Sequence, residues 1–261
     1  MKQPQDLRSF DSLREILGIL RSPEGCPWDR AQTHKSMRDS LLEETYEVLE
    51  ALDADDKDRF CGELGDLLLQ IVFHAEMGSE AKEFDMGDVI EAINTKLIRR
   101  HPHVFGETKL SSSAEVLHNW EEIKKTERGH DKPMLSGVPK QLPALSYSQE
   151  IQGRVARVGF DWKEDEGVLE KLAEEVAEYS SAPNALEKEK EFGDILFTLA
   201  NYARRQGIDL ESALRGANRR FYSRFEHMEE LCRKTGRDIA KMSFAEQNEL
   251  WQAAKRKENG E

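Results

Sequence analysis

Acidic residues recur in this sequence with a spacing that suits a divalent cation. A Glu-Glu-x-x-Glu motif is followed by Glu-x-x-Asp, and on helices the acids of each motif share a face because residues three and four apart are neighbours. Carboxylates without histidine or cysteine suit Mg²⁺ or Mn²⁺, and Mg²⁺ commonly joins a few carboxylates to substrate phosphates. The sequence therefore predicts two metal centres for nucleotide phosphates, with acids at Glu43, Glu44, Glu47, Glu63 and Asp66 and at Glu174, Glu175, Glu178, Glu191 and Asp194.

Glutamate pairs on solvated faces are the ordinary alternative in any acidic protein. Asp66 and Asp194, however, run directly into apolar helical segments, and a buried acid needs a partner. Gly65 and Gly193 each cost about 1 kcal/mol of helix propensity, which favours the close approach of another helix or a ligand. Crowded carboxylates also raise each other's pKa unless a cation neutralises them. These features favour a site over a solvated surface.

Basic and aromatic residues recur with the acids. An Asn-x-Lys/Arg-x-x-x-Arg pattern supplies cations for phosphate, and a Trp-x-x-x-Lys pair, one helical turn apart, can place an indole against a base. A solvated basic face and core packing of the tryptophans explain the same spacing equally well. The candidate substrate-binding residues are Lys96, Arg99, Arg100, Trp120 and Lys124 in the first half and Arg220, Arg224, Trp251 and Lys255 in the second.

These residues must be positioned by helices, because apolar residues recur at helical spacing and strand signals are almost absent. Segments 36–53 and 60–77 are predicted helices, as are 165–181 and 187–206, and Ser112 and Ser243 predict capping boxes that open a last helix in each half. The fold class is all-α, with four or five helices per repeat. The predicted organisation is a tandem duplication with an N-terminal domain at 1–127, a proline-rich linker at 128–143 and a C-terminal domain at 144–261.

Composition excludes several classes of protein. The formal charge of −13 opposes general nucleic-acid binding. No apolar run is long enough to span a bilayer and the first residues lack a secretory pattern, so we expect a cytoplasmic protein without membrane contact. Cys26, Cys61 and Cys232 have the scatter of reduced thiols. No phosphate-binding glycine loop or nucleophile motif is present, and Glu-x-x-His pairs are too few for a di-iron bundle.

The repeated acidic motifs, together with Gly-Cys-Pro-Trp-Asp at 25–29 and Arg-Arg-His-Pro-His-Val-Phe at 99–105, resemble the MazG family of all-α nucleoside triphosphate pyrophosphohydrolases. The resemblance covers nearly the whole chain. It implies hydrolysis of NTPs and dNTPs to the monophosphate and pyrophosphate, with Mg²⁺ or alternatively Mn²⁺, in a helical homodimer.

The resemblance also implies roles for individual residues. The metal ligands would be Glu44, Glu47, Glu63 and Asp66 and their second-half counterparts Glu175, Glu178, Glu191 and Asp194. Lys171 matches a nucleotide-contacting position, as do the basic and aromatic residues given above apart from Arg99. Ser40 takes the place of Lys171 in the first half, which predicts unequal activity of the two copies. Glu43 or Glu174 would be catalytic by orienting the attacking water, although the sequence does not separate a general base from a ligand.

Two alternatives stay open at this stage. One is a hydrolase restricted to dUTP or dCTP, which differs only in the shape of its pocket. The other is a metal-stabilised module that binds a nucleotide or a regulatory partner without turnover. The preferred base, the active copy and the pairing of the repeats within a chain or across a dimer are not decided by the sequence.

Overall fold

The computed structural model describes residues 3–128 and 133–258, and within these ranges the chain is built from helices with no strand. The all-α fold class is therefore confirmed. Residues 129–132 of the predicted linker, and the chain ends of the two predicted domains, lie outside the described ranges. The helices are α1 (Phe10–Arg21), α2 (Pro27–Ala31), α3 (Arg38–Asp53), α4 (Lys57–Ala81), α5 (Met86–Arg100), α6 (Pro102–Phe105), α7 (Ser113–Arg128), α8 (Ala144–Ala156), α9 (Asp165–Ser181), α10 (Ala185–Arg205), α11 (Leu210–Thr235) and α12 (Phe244–Glu258).

The chain divides into two compact units, Met1–His130 and Asp131–Glu261, called unit 1 and unit 2 below. Unit 2 holds five α-helices in its described part, as expected. Unit 1 adds two short helices, α2 and α6, each of which begins with proline, whose fixed φ favours the first helical position. The predicted domain boundaries stay predictions.

Corresponding helices pack in the same pairs in the two units. Helix α4 packs against α3 and α1 in unit 1, as α10 packs against α9 and α8 in unit 2.

 The core of unit 1 contains Leu17 of α1, Met37 at the N-cap of α3, and Val72 and Phe73 of α4. The acid-bearing pairs, α3 with α4 and α9 with α10, make the most extensive contacts in their units.

The N-termini of α7 and α12 test the two predicted capping boxes. Ser243 and Glu246 form the reciprocal pair, since the Ser243 N–H donates to the Glu246 carboxylate at 2.8 Å and the Glu246 N–H donates to Ser243 Oγ at 3.4 Å. At α7 the Glu115 N–H donates to Ser112 Oγ at 3.2 Å, but its carboxylate accepts the backbone N–H of Ser111 instead of Ser112. The box at Ser243 is therefore confirmed, and the one at Ser112 is displaced by one residue.

Several apolar residues of α4 and α10 remain exposed in the described part of the chain. Leu64, Leu68 and Ile71 on α4 are each more than a third exposed, as are Phe192 and Leu196 on α10. Asp66 and Asp194 are exposed as well, so the expectation that these two acids are buried was wrong. No helix among the described residues is long and apolar enough to cross a membrane, and Cys26, Cys61 and Cys232 are free thiols.

Candidate metal centres

The first candidate metal centre lies between α3 and α4 of unit 1. Glu44 of α3 and Glu63 and Asp66 of α4 each offer a carboxylate oxygen, and the three oxygens lie within 4.8 Å of one another. Glu44 and Glu63 are half-buried and Asp66 is exposed. Because Glu63 and Asp66 are three residues apart on one helix, the packing of α3 against α4 is what adds Glu44 to them.

The second centre is formed by the equivalent helices of unit 2. Glu175 and Glu178 of α9 and Glu191 of α10 have carboxylate oxygens within 4.8 Å of one another. Glu175 is only 5% exposed, so this carboxylate is held in place by its surroundings. The triplet opens into a cavity of about 430 Å³ that is also lined by Asp194.

The structure brings six of the eight predicted ligands into these triplets. Glu47 lies beside Glu44 and interacts with it without joining the triplet. Asp194 lines the cavity of the second centre but is likewise outside its triplet. Glu43 and Glu174, the predicted catalytic acids, are exposed next to the ligand residues on α3 and α9.

Burial and the crowding of negative charge raise the pKa of one glutamate in each centre. Burial raises the pKa of Glu44, and the charges of Asp66 and Glu47 raise it further. The pKa of Glu178 is raised by desolvation and then by Glu175 and Glu191. A bound cation would relieve this repulsion, because a nearby positive charge favours the ionised carboxylate.

Each centre has a basic side chain in contact with its carboxylates. This side chain comes from α4 in unit 1 and from α9 in unit 2. In unit 2, Lys171 Nζ lies 2.7 Å from Glu175 and 2.9 Å from Glu174, and these contacts raise the pKa of Lys171. In unit 1, Arg59 of α4 donates to Glu63 at 3.0 Å and to Glu50 at 2.6 Å. Arg59 therefore gives the first centre a basic side chain, although Ser40 stands at the position that corresponds to Lys171.

The sequence analysis did not identify Arg59 or Lys190. Lys190 lines the acidic cavity of unit 2, and its Nζ lies 3.7 Å from the carboxylate of Glu191. The spacing of Arg59 four residues before Glu63 is a helical ion-pair signal that could have identified it. Lys190 is adjacent to Glu191 in sequence, and only the cavity distinguishes it from an ordinary surface lysine.

The predicted aromatic and basic residues form pairs of their own on α5 and α7 and on α11 and α12. Lys124 Nζ lies 3.9 Å from the ring centre of Trp120, and the guanidinium of Arg224 lies 5.5 Å from that of Trp251. Both tryptophans are half-buried. Ion pairs join Arg99 and Arg100 to Glu127 and Arg224 to Glu258, whereas Lys96, Arg220 and Lys255 are exposed.

In unit 2, the described residues of the α11 and α12 pairs do not line the acidic cavity. In the described part of the chain its lining comes from α9, α10 and the turn between them. Of the predicted substrate-binding residues, only Lys171 is in that lining. The geometry therefore defines a helical protein whose carboxylate centres suit a divalent metal ion. In unit 2, Lys171 adds a positively charged side chain that suits an anionic ligand.

Comparison with known proteins extends this class to a family. Residues 32–105 match the model of the MazG nucleotide pyrophosphohydrolase domain, a range that includes the first centre. The chain is 47% identical to the nucleoside triphosphate pyrophosphohydrolase/pyrophosphatase MazG of Thermotoga maritima, over 94% of this chain and 95% of that protein. It is 42% identical to the nucleoside triphosphate pyrophosphohydrolase of Escherichia coli K12, over 97% of this chain and 99% of that protein. The chain belongs to the MazG nucleotide pyrophosphohydrolase family.

Proposed function

We infer that this protein is a nucleoside triphosphate pyrophosphohydrolase that converts NTPs and dNTPs to the monophosphate and pyrophosphate. The observation that carries this function is the pair of carboxylate triplets, each with three oxygens within 4.8 Å, in a chain that matches pyrophosphohydrolases over nearly its full length. We propose that each unit is one MazG-like domain of a tandem repeat.

The donor set fits Mg²⁺, with Mn²⁺ as an alternative, because all the converging groups are carboxylates and these hard oxygens suit both ions. Glu44, Glu47, Glu63 and Asp66 would hold the cation in unit 1, and Glu175, Glu178, Glu191 and Asp194 would hold it in unit 2. A divalent cation at such a site neutralises phosphate charge and activates a water for attack at phosphorus.

The side chains around the centres would bind and orient the nucleotide. Lys171 already contacts Glu174 and Glu175, so a phosphate that enters the cavity meets an ammonium group at its wall. Lys171 Nζ contacts one oxygen of Glu174, Oε1, so the second carboxylate oxygen would be able to orient the attacking water while Lys171 binds phosphate.

The remaining predicted contacts are proposed for the terminal helix pairs of each unit. Trp120 and Trp251 present a ring beside a cation, which suits a base next to a phosphate. The proposed substrate-binding residues are those predicted from the sequence, namely Lys96, Arg99, Arg100, Trp120, Lys124, Lys171, Arg220, Arg224, Trp251 and Lys255.

A homodimer is also proposed. The exposed apolar side chains on α4 and α10 support it, because contiguous apolar patches commonly mark protein interfaces. Sedimentation would show a particle of twice the chain mass if the proposal is correct. The free thiols support a reducing, cytoplasmic location.

The function is tested by incubating the purified protein with each of the eight NTPs and dNTPs, with and without Mg²⁺, and identifying the products. Glu47→Ala with Asp66→Ala disables the first centre, and Glu178→Ala with Asp194→Ala disables the second. A matched control, Glu15→Ala with Glu24→Ala, removes the same charge from exposed positions outside the centres.

Monophosphate and pyrophosphate from the wild type and the control, with loss in one double variant, would support the function and identify the working centre. Turnover restricted to dUTP or dCTP would replace the broad substrate range with a narrow one. Absence of Mg²⁺-dependent turnover from a folded wild-type protein would refute the hydrolase and favour a binding module.

A further inference from the structure

Two histidines of unit 1 face each other outside the first metal centre, and they are called the histidine pair below. His34 lies in the segment before α3 and His74 lies on α4, and their Nδ1 atoms are 2.8 Å apart. The ring planes differ by 4°, and the ring centres lie 5.1 Å apart. This separation is close to the sum of the Nδ1 contact and the radii of two five-membered rings. The two Nδ1 atoms therefore lie near the line between the ring centres and point at each other.

A single shared proton holds this contact. An imidazole nitrogen donates only when it carries a hydrogen, and its partner accepts only when it carries none. Two neutral rings meet this condition when one has its proton on Nδ1 and the other has its proton on Nε2. One added proton makes one ring an imidazolium, which still donates its Nδ1–H to the neutral partner. A second added proton places two N–H groups and two positive charges face to face, so the hydrogen bond is lost.

The acids on the elements packed around the pair have other partners. Glu76 and Glu80 of α4 act on the guanidinium of Arg21 on α1, to which Glu80 is also hydrogen-bonded. The side chains of Asp85 and Asp88 form the capping box of α5. The other charged residues of α3, of the segment before it and of the turn between α4 and α5 that lie close in sequence to the pair are exposed, namely Lys35, Arg38, Asp39, Lys82 and Glu83.

Protonation of His74 is disfavoured in the folded protein. Burial lowers the pKa of His74 below its ordinary value of 6.5, and the charge of His34 lowers it further. The native state therefore binds this proton less tightly than the unfolded state does. The resulting stabilisation is complete above the unfolded pKa and is lost as pH falls through the native pKa. The pair thus stabilises unit 1 at neutral pH and not in acid.

The position of the pair connects it to the first metal centre. The end of α3 is attached to α4 by the short turn between the two helices and by the ion pair of Glu50 with Arg59. The start of α3 is attached by Met37, which is buried in the core, and by the histidine pair just before it. Glu44 lies between these two attachments, so both of them determine how it meets the carboxylates of α4.

The segment that carries His34 is itself ordered. The Thr33 N–H donates to Ser36 Oγ at 2.9 Å, and the Ser36 N–H donates to Thr33 Oγ1 at 3.1 Å. The ring of Phe84 also packs on His34, with ring centres 6.1 Å apart. Because only three residues separate His34 from the first residue of α3, Arg38, a displacement of the imidazole is transmitted to the helix.

We propose that the histidine pair is an acid-sensitive contact between the start of α3 and α4, which holds while the two Nδ1 atoms share one proton and breaks when each carries its own. Its loss frees the start of α3, so Glu44 is held less firmly near Glu63 and Asp66 and the first centre binds a divalent cation more weakly. The contact itself is independent of the proposed function, whereas its effect on the centre rests on the metal site proposed there.

A double-mutant cycle tests the pair in the full chain. His34→Ala, His74→Leu and the double variant are unfolded in urea with EDTA at about pH 8 and about pH 5, on either side of the histidine range. The matched control is the same cycle at His101 and His103. Their rings lie 5.6 Å apart, but His101 Nδ1 donates to the carbonyl of Leu97 and not to the other histidine.

We expect the folding equilibrium constant of the double variant at about pH 8 to exceed the value for independent changes by about fivefold, the worth of one hydrogen bond. At about pH 5 this factor should fall to one or below, and the control cycle should show no favourable coupling at about pH 8. A factor that is the same at both pH values would overturn the proposal, because mere packing of the two rings does not titrate.

Nuclear magnetic resonance of the wild type tests the shared proton without relying on the folding of a variant. In protein with ¹⁵N-labelled histidine at about pH 8, one Nδ1 of the pair should be protonated and the other not, with a scalar coupling between them across the hydrogen bond. Both Nδ1 atoms should be protonated at about pH 5 and the coupling should disappear. Absence of the coupling at about pH 8 would overturn the proposal.

Mn²⁺ binding tests the effect on the first centre, in protein whose second centre is disabled by Glu178→Ala and Asp194→Ala. At about pH 8, His34→Ala should weaken Mn²⁺ binding severalfold, and the ratio of the two affinities should approach one as pH falls through the histidine range. Equal affinities at about pH 8 would overturn the effect on the centre. Failure of every form to bind Mn²⁺ would refute the proposed metal site, while the cycle still decides whether the acid-sensitive contact exists.

Discussion

The metal-free first centre should destabilise unit 1, and the substitution Glu44→Gln tests this. Glu44 is half-buried, and its carboxylate lies within 4.8 Å of those of Glu63 and Asp66. Glutamine has nearly the same shape but no charge, so the variant removes repulsion without leaving a cavity. We expect Glu44→Gln to be more stable than the wild type without metal and less stable with it.

The magnitude follows from the separation of the charges. Two unit charges 4.8 Å apart repel by about 0.9 kcal/mol in water and by about 3.5 kcal/mol at an effective dielectric constant of 20. Solvent screening at a half-exposed site favours the lower value, and Arg59 partly offsets the charge of Glu63. A net gain of about 1 to 2 kcal/mol is expected, which corresponds to roughly 5 °C in Tm.

The gain should depend on pH with a defined sign. The native pKa of Glu44 is raised above its ordinary value of 4.5, so the native state holds this proton more tightly than the unfolded state does. That stabilising contribution is complete below the unfolded pKa and is lost as pH rises through the raised native pKa. The advantage of Glu44→Gln should therefore be absent at acidic pH and reach its full value above the native pKa.

The assay is urea unfolding of wild type and variant, with EDTA and then with excess Mg²⁺, at several pH values. At a Mg²⁺ concentration 100 times its Kd, binding stabilises the native wild type by about 2.7 kcal/mol, which the variant should largely lose. Glu43→Gln is the matched control, because Glu43 is exposed on the same helix outside the triplet. A variant no more stable than wild type in EDTA, or equal stabilisation of both by Mg²⁺, would refute this reasoning.

Three further variants test the packing and charge of the two units. Arg21 donates to both carboxylate oxygens of Glu80 at 2.7 Å and lowers the pKa of Glu80. Glu80→Gln should therefore lower the free energy of unfolding in urea by about 1–2 kcal/mol at neutral pH. This loss should vanish as pH falls through the native pKa of Glu80. Leu17 is 1% exposed in the core of unit 1, so Leu17→Ala should lower the free energy of unfolding by about 2–5 kcal/mol. Lys171→Met should tighten Mn²⁺ binding without nucleotide, because the ammonium no longer competes for Glu175, and should raise KM for NTPs.

Matched substitutions control the Glu80 and Lys171 variants. Asp11→Asn removes an 86% exposed carboxylate that pairs with Arg14 on the same helix, and the free energy of unfolding should change by less than about 0.5 kcal/mol. Lys190→Met removes a more exposed ammonium 3.7 Å from Glu191 and should change Mn²⁺ affinity less than Lys171→Met does. Equal Mn²⁺ affinities of the two lysine variants would contradict the reasoning about Lys171. The reasoning about Glu80 fails if the free energy of unfolding of Glu80→Gln depends on acidic pH as that of the wild type does.

Local sequence patterns located the helices that carry the acids. The predicted helices 36–53 and 187–206 correspond to α3 (Arg38–Asp53) and α10 (Ala185–Arg205), because helical periodicity depends only on neighbours along the chain. Burial was harder to predict, and Asp66 and Asp194 are exposed despite their apolar neighbours. An apolar helix becomes buried only where another element covers it, and the sequence contains no direct measure of that coverage.

The sequence by itself determined the all-α class, and it predicted the acids that share a helix face, since the helix alone brings Glu63 together with Asp66 and Glu175 together with Glu178. Only the tertiary structure decided that Glu44 and Glu191 complete the triplets, because each comes from a different helix than its two partners. It also decided features that no local spacing encodes, among them the cavity of unit 2 lined by α8, α10 and the segment between α8 and α9. Such features depend on distances between helices, which are set by side-chain packing between segments far apart in the chain.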